Sequence, residues 1–191
     1  MLTVVIARHN EDITWVNQLH CNVAILSKNE LLNAGREASS YAWFMWKNYD
    51  SLQGDYVFCQ GNPFDHCPDF INGVSNRRRH YGLYCQWPEC HQGADMLSGS
   101  DIIDFVSTLA VHTGVWIDVN MARFYFSNGA QFRVSADEIR VRSKEFYEKL
   151  YHISISLPKA PWAMEALWGH IIPALRLDLT DNPEQIHFGK T

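Results

Sequence analysis

The stretch that most constrains this chain is Asp55–Gln60, a run of Tyr, Val, Phe and Cys that stops at Gly61-Asn62-Pro63-Phe64-Asp65-His66. An apolar strand ending abruptly in polar and titratable residues is how an open α/β sheet presents a ligand site, outside the carboxyl ends of its strands. Two earlier runs have the same form. Thr3–Ala7 and Asn22–Leu26 are rich in Val and Ile and end in polar residues, as buried parallel strands do. Between them Asp12–Leu19 suits a short helix. Ala38, Tyr41, Ala42, Met45, Trp46 and Tyr49 recur at helical spacing and define one apolar face. Two β-α-β steps within sixty residues predict an α/β fold, with a mostly parallel sheet and right-handed crossovers.

The rest of the chain is less regular. Residues 61–99 are rich in Gly, Pro, Asn, His and Cys and include Arg77-Arg78-Arg79. They predict a long, mostly irregular connection, ordered by its aromatics. A helix follows over Asp101–His112, stopped at Gly114. Strands are expected at Val115–Val119, Arg123–Ser127 and Gln131–Val134. Ser135 and Glu138 form a capping-box pattern ahead of a helix reaching about Tyr151. Pro161 suits the first turn of a last helix, whose apolar face is Met164, Leu167, Trp168, Ile171, Ile172 and Leu175.

Composition narrows the function classes. At 191 residues, with 47% hydrophobic and 19% charged residues, the chain can bury a core as one domain. A net charge of -5 argues against a general nucleic-acid backbone binder. No stretch approaches the roughly 20 apolar residues of a membrane helix. Met1–Ala7 lacks the form of a secretory leader, so an intracellular, cytoplasmic protein is expected. Five cysteines, an odd count, fit reduced thiols better than a disulfide framework. Aromatic residues make up 13% of the chain, which suits both a core and the stacking of sugars or bases.

Several groups of residues can carry chemistry, each with a plainer alternative. Arg8-His9-Asn10-Glu11-Asp12 follows the first strand. Glu11 or Asp12 would accept hydrogen bonds from a base or ribose and Arg8 would face a phosphate; alternatively these are the polar residues that must follow any buried strand. Asn33-Ala34-Gly35-Arg36-Glu37 precedes a helix, where a glycine allows close backbone approach and the helix end attracts anions; the alternative is a turn with a solvated ion pair. Asp65 and His66 suit a divalent metal, or Asp65 a sugar hydroxyl; the alternative is a Gly-Asn-Pro turn. Gly129 and Ala130 would let a substrate approach the backbone, or belong to an Asn-Gly hairpin. Glu165 lies beside an apolar helix face, where burial raises a carboxyl toward general-base range; it is otherwise an edge-of-core glutamate. Zinc held by His66, Cys67, His80, Cys85, Cys90 and His91 is a weaker possibility, for want of a C-x2-C pair. Arg77–Arg79 would grip a diphosphate or lie solvated.

Taken together, the segments Ala7–Trp15, Asn33–Glu37 with Tyr41, Val57–Phe64, Gly129–Phe132 and Met164–Trp168 resemble, in order, those of a widespread uncharacterised family similar to the GT-A glycosyltransferases. The resemblance covers roughly residues 3–175. It implies a single Rossmann-like GT-A domain, with a nucleotide-binding half over 1–60, an irregular region over 61–99, an acceptor-side half over 100–177 and a tail over 178–191. It implies transfer of a sugar from a nucleotide-sugar to a hydroxyl acceptor, a glycan or a modified nucleic-acid base. Donor contacts would come from Arg8, Asn10, Glu11, Asp12, Asn33, Gly35, Arg36, Gln60 and Asn62. Acceptor contacts would come from Gly129, Ala130 and Trp168, with Glu165 as the base of an inverting displacement, or Asp65 in its place. Where GT-A enzymes carry Asp-x-Asp, this chain has Gln60-Gly61-Asn62. Mn²⁺ or Mg²⁺ would then rest on Asp65 and His66, or Arg77–Arg79 would neutralise the diphosphate without a metal. The alternative from another class is a binding module without turnover.

Overall fold

The structure, a computed structural model, describes residues 1–28, 34–82, 84–87, 97–120 and 124–176. Asn33, Cys90, His91, Arg123 and the tail from Asp178 lie outside them. The strands are β1 (Leu2–Arg8), β2 (Asn22–Ser27), β3 (Asp55–Gln60), β4 (Tyr84–Trp87), β5 (Phe124–Ser127) and β6 (Phe132–Ser135). The helices are α1 (Arg36–Asn48), α2 (Phe70–Ser75), α3 (Gly99–Thr113), α4 (Ala136–Ile139), α5 (Lys144–Ser156) and α6 (Ala160–Ile171). The main sheet has the order β2-β1-β3-β6. Its first three strands are parallel and β6 runs antiparallel to β3. The fold is therefore α/β with a mostly parallel sheet.

Both faces of the sheet are buried, which is why its central strands are nearly continuous apolar runs. Val5, Ala7, Tyr56 and Phe58 point into a core shared with α1, α3, α5 and α6. Val4, Ile6, Val57 and Cys59 point the other way, against Trp15, Cys67, Phe70, Val74 and Tyr81. That second face corrects the expectation for residues 61–99. Its described residues form a 3-10 turn at Pro63–Asp65, helix α2 and strand β4; Cys67, Phe70, Val74 and Tyr81 cover this face, while Cys85 and Trp87 of β4 join the first core. His80 bridges Phe132, and Tyr81 N–H donates to the Gln131 carbonyl, so residues 79–81 extend the sheet beyond β6.

Three further expectations are corrected. Val115–Val119 is not a strand: among the described residues it pairs with neither sheet, and Trp116 is exposed. The capping box at Ser135 and Glu138 forms with both its bonds, yet the helix lasts one turn. The Ile139 and Arg142 carbonyls accept from the hydroxyls of Tyr147 and Tyr49, and Ser143 caps a new helix. The Asn-Gly dipeptide makes no hairpin. β5 pairs with β4 while β6 pairs with β3, so Asn128–Ala130 carries the chain from one sheet to the other. Gly129 (φ 83°) and Ala130 (φ 50°) both adopt the left-handed conformation at this corner. No helix among the described residues is long and apolar enough to cross a membrane.

Candidate functional site

From β1 the chain passes first to β2 on one side and then, through α1, to β3 on the other. The point where strand order reverses is the carboxyl end of β1, where doubly wound sheets leave a crevice. A cavity of about 410 Å³ opens there, lined by Ala7, His9, Glu11, Lys28, Arg36, Glu37 and Gln60. Each strand end contributes: Ala7 is the last residue but one of β1, Gln60 closes β3, and Lys28 follows β2. The volume falls within the range of small-molecule sites.

The charges in this cavity are held by the local fold. Lys28 is buried, and its Nζ donates to Ser39 Oγ of α1 at 2.7 Å. Burial pulls the Lys28 ammonium down to about 8, against the opposing pull of Glu37. The Glu37 carboxyl is pushed up by burial, with its own backbone N–H, Arg36 and Lys28 working the other way. Glu11 Oε2 accepts from the His9 amide at 2.6 Å. A side chain at Gly61 would meet that same oxygen at 2.5 Å, so Gly61 forms the bed on which Glu11 lies. Arg36 sits over the Trp162 ring at 5.1 Å in a left-handed backbone conformation. Two cations and two carboxylates thus share one opening.

The corner at Gly129 ties this opening to Glu165. Gln60 Nε2 donates to the Gly129 carbonyl at 3.1 Å, and the Gly129 amide donates to Glu165 Oε1 at 2.5 Å. Burial pushes the Glu165 carboxyl up to about 7; the Gly129 N–H and Arg36 oppose this, and Glu37 adds to it. A carboxyl raised this far lies in the range suited to a general base or acid. Glycine is required at 129, because a Cβ would stand 2.5 Å from His66 Cγ. His66 is half-buried against this corner, and burial lowers its pKa despite Asp65.

Of the expected donor residues, Glu11, Arg36 and Gln60 line the cavity. The others have different tasks. Arg8 Nε donates to the Glu11 carbonyl at 3.0 Å and braces the loop. Asp12 accepts from the Thr14 amide and hydroxyl at the start of the 3-10 turn Thr14–Gln18. Asn10 is exposed. Gly35 (φ 78°) owes its glycine to the Ser154 carbonyl of α5, 2.5 Å from where a Cβ would be. Asn62 precedes the Pro63–Asp65 turn without capping it.

Sequence reasoning missed Lys28 and Glu37 as site residues. The position of Lys28 directly after an apolar strand was the available signal. Trp168 is a correction: it is 3% exposed and packs against Tyr41 and Phe132, so it is core and offers no face to an acceptor. Ala130 is buried as well. Arg77–Arg79 do not face the cavity. Arg78 pairs with Asp69, Arg79 pairs with Glu138, and Arg77 lines a second cavity with Leu2, Asp55 and Arg133, at the opposite end of the strands.

Asp65 is exposed and adjoins His66 on the Pro63–Asp65 turn. Among the described residues, no three His, Cys, Asp or Glu side chains come together as a metal-binding cluster. Asp65 and His66 alone do not fit a resident divalent ion. The same holds for zinc on the described members of the Cys/His set. Cys67 donates to Asp69 at 3.3 Å and is buried. No family model, no curated protein and no solved structure matches this chain.

Proposed function

We propose that this protein is a glycosyltransferase of GT-A type that binds a nucleotide-sugar in the 410 Å³ cavity and passes the sugar to a hydroxyl acceptor. One observation carries the reading. The cations Lys28 and Arg36 meet Glu11 and Glu37 at the switch point of the sheet, and Gln60 and Gly129 connect that point to a carboxyl titrating near 7. Lys28 and Arg36 would bind the diphosphate; a sequestered cation stabilises the charge that develops on a departing phosphate. Glu11 would accept hydrogen bonds from ribose or base. In the transfer the acceptor oxygen bonds to the anomeric carbon as the bond to the phosphate oxygen breaks. The diphosphate leaves with the electron pair, and Glu165 takes the acceptor proton. Isothermal titration against UDP-, GDP- and TDP-sugars, with and without Mn²⁺, tests this. Saturable binding of at least one donor is expected, and heat from none of them would overturn it.

A second reading is favoured by one observation. Glu165 lines a small cavity with Ala130 and Trp168, separate from the 410 Å³ one. A module that binds nucleotide-sugars without turnover would need no base in the open cavity. Donor hydrolysis that disappears in Glu165→Gln and Asp65→Asn separates the two: the binding module has no hydrolysis to lose.

A further inference from the structure

The second cavity, at the amino ends of the strands, has a volume of about 430 Å³. Leu2, Leu19 and Val74 give it apolar walls, and Asp55, Arg77 and Arg133 bring charge. Arg133 is held in place: its guanidinium pairs with Asp55 at 2.5 Å, and its side chain is 13% exposed. Asp55 is the one carboxylate among the described residues of the lining, so Arg77 is left as the uncompensated charge. Its neighbours Arg78 and Arg79 pair with Asp69 and Glu138, whereas the exposed Arg77 side chain has no partner among the described residues.

The backbone makes arginine an unfavourable residue at this position. Arg77 lies just past α2, where the Arg78 amide donates to the Gly73 carbonyl at 2.9 Å and the Arg77 amide to the Val74 carbonyl at 3.2 Å. These are the two bonds of a Schellman motif, with Arg77 at its left-handed position (φ 56°). Glycine is usual there, because a Cβ in that conformation crowds the following carbonyl oxygen. No ion pair or hydrogen bond of the Arg77 side chain offsets this cost among the described residues. Strained backbone of this kind is concentrated where a side chain meets a ligand. Arg36, on the 410 Å³ cavity, is left-handed as well (φ 47°).

A guanidinium is a planar fork of donors that matches the oxygens of a carboxylate or phosphate two at a time. None of the described lining residues is Phe, Tyr or Trp, so the cavity offers no such ring for a base to stack on. We propose that this cavity is a second binding site, for a small non-nucleotide molecule carrying a phosphate or carboxylate group. Arg77 grips the oxyanion, and Leu2, Leu19 and Val74 receive the apolar part. The site lies at the opposite end of the strands from Lys28 and Arg36 and does not depend on transferase activity.

Titration of ¹⁵N-labelled protein with inorganic phosphate, and separately with acetate, tests it against sodium chloride at matched ionic strength. The Arg77 side-chain Nε–H signal, identified by its absence in Arg77→Gly, is expected to shift saturably with at least one of the two anions and not with chloride. The anion that moves it further identifies the group the site takes. Arg77→Gly is also expected to raise the urea midpoint above that of wild type, because glycine relieves the left-handed position. An Arg77 signal that moves no further with either anion than with chloride, or an Arg77→Gly midpoint at or below that of wild type, overturns the proposal. Neither readout involves a nucleotide or the Lys28 end of the sheet, so this site can fail while donor binding succeeds, and the reverse.

Discussion

The Gly129 amide donates to Glu165 Oε1 at 2.5 Å, across the corner where the chain leaves one sheet for the other. The carbonyl of the same residue accepts from Gln60 Nε2 at the end of β3. A carboxyl on the last helix is thereby fixed relative to the strand end that borders the open cavity. The bond favours the ionised carboxyl, and the burial around it favours the neutral one.

Replacing Glu165 with Gln keeps the shape and removes the titration. If Glu165 is the acceptor base, Glu165→Gln lowers turnover about 10²- to 10⁴-fold, while donor affinity stays within a few-fold. Steady-state kinetics alongside titration calorimetry separate the two quantities.

The same substitution changes how stability depends on pH. A glutamate held near 7 when folded and near 4.5 when unfolded binds more protons in the native state between those values. Stability therefore falls as pH rises from 4.5 to 7 and levels off above 7, by up to about 3 kcal/mol from this group alone. His80, pulled down to about 4 by burial and by Arg79, works oppositely: its contribution to stability rises as pH climbs from 4 to 6.5. The test is the difference between wild type and Glu165→Gln in urea midpoints across pH 4.5–7. The variant is expected to gain relative to wild type as pH rises, and parallel curves would remove Glu165 as the titrating group.

Gly129→Ala forces a Cβ toward His66 at a φ of 83°. A loss of roughly 1–3 kcal/mol is expected, read from chemical denaturation. If the corner positions Glu165, turnover falls by more than the folded fraction explains. A variant with wild-type stability and rate would contradict the role given to this glycine.

Lys28→Met and Arg36→Ala are each expected to weaken donor binding about tenfold or more, the scale of a lost charge-assisted hydrogen bond. Arg77→Ala is expected to leave it unchanged, since Arg77 lines the cavity at the other end of the strands. Calorimetry on the three variants decides whether the diphosphate is read by Lys28 and Arg36 or by the arginine run.

Much of the scaffold was legible in the chain. Asp55–Gln60 is β3 at the boundaries its composition indicates, and β1, β2, α1 and α3 fall where apolar spacing and the Gly114 signal put them; α6 starts at the Pro161 signal but ends at Ile171, ahead of Pro173, so Ile172 and Leu175 lie past it. These signals are local, so one sequence carries them. What failed was set by distant partners. Ala130 and Trp168 look available in sequence and are buried, because the corner at residue 129 folds back on α6. Gly35 looks like a ligand approach and answers to the Ser154 carbonyl, more than a hundred positions away. Lys28 was overlooked because a lysine after a strand carries no periodicity; its burial depends on Ser39. The arginine run drew attention by its charge, yet Asp69 and Glu138 take up two of its members.

The most direct measurement is a crystal of the protein soaked with UDP and Mn²⁺. Nucleotide density at the carboxyl ends of β1 and β3, with the diphosphate against Lys28 and Arg36, is the predicted result. Nucleotide density at the opposite end of the sheet beside Arg77 and Arg133, or an open cavity left vacant at saturating UDP, would contradict it.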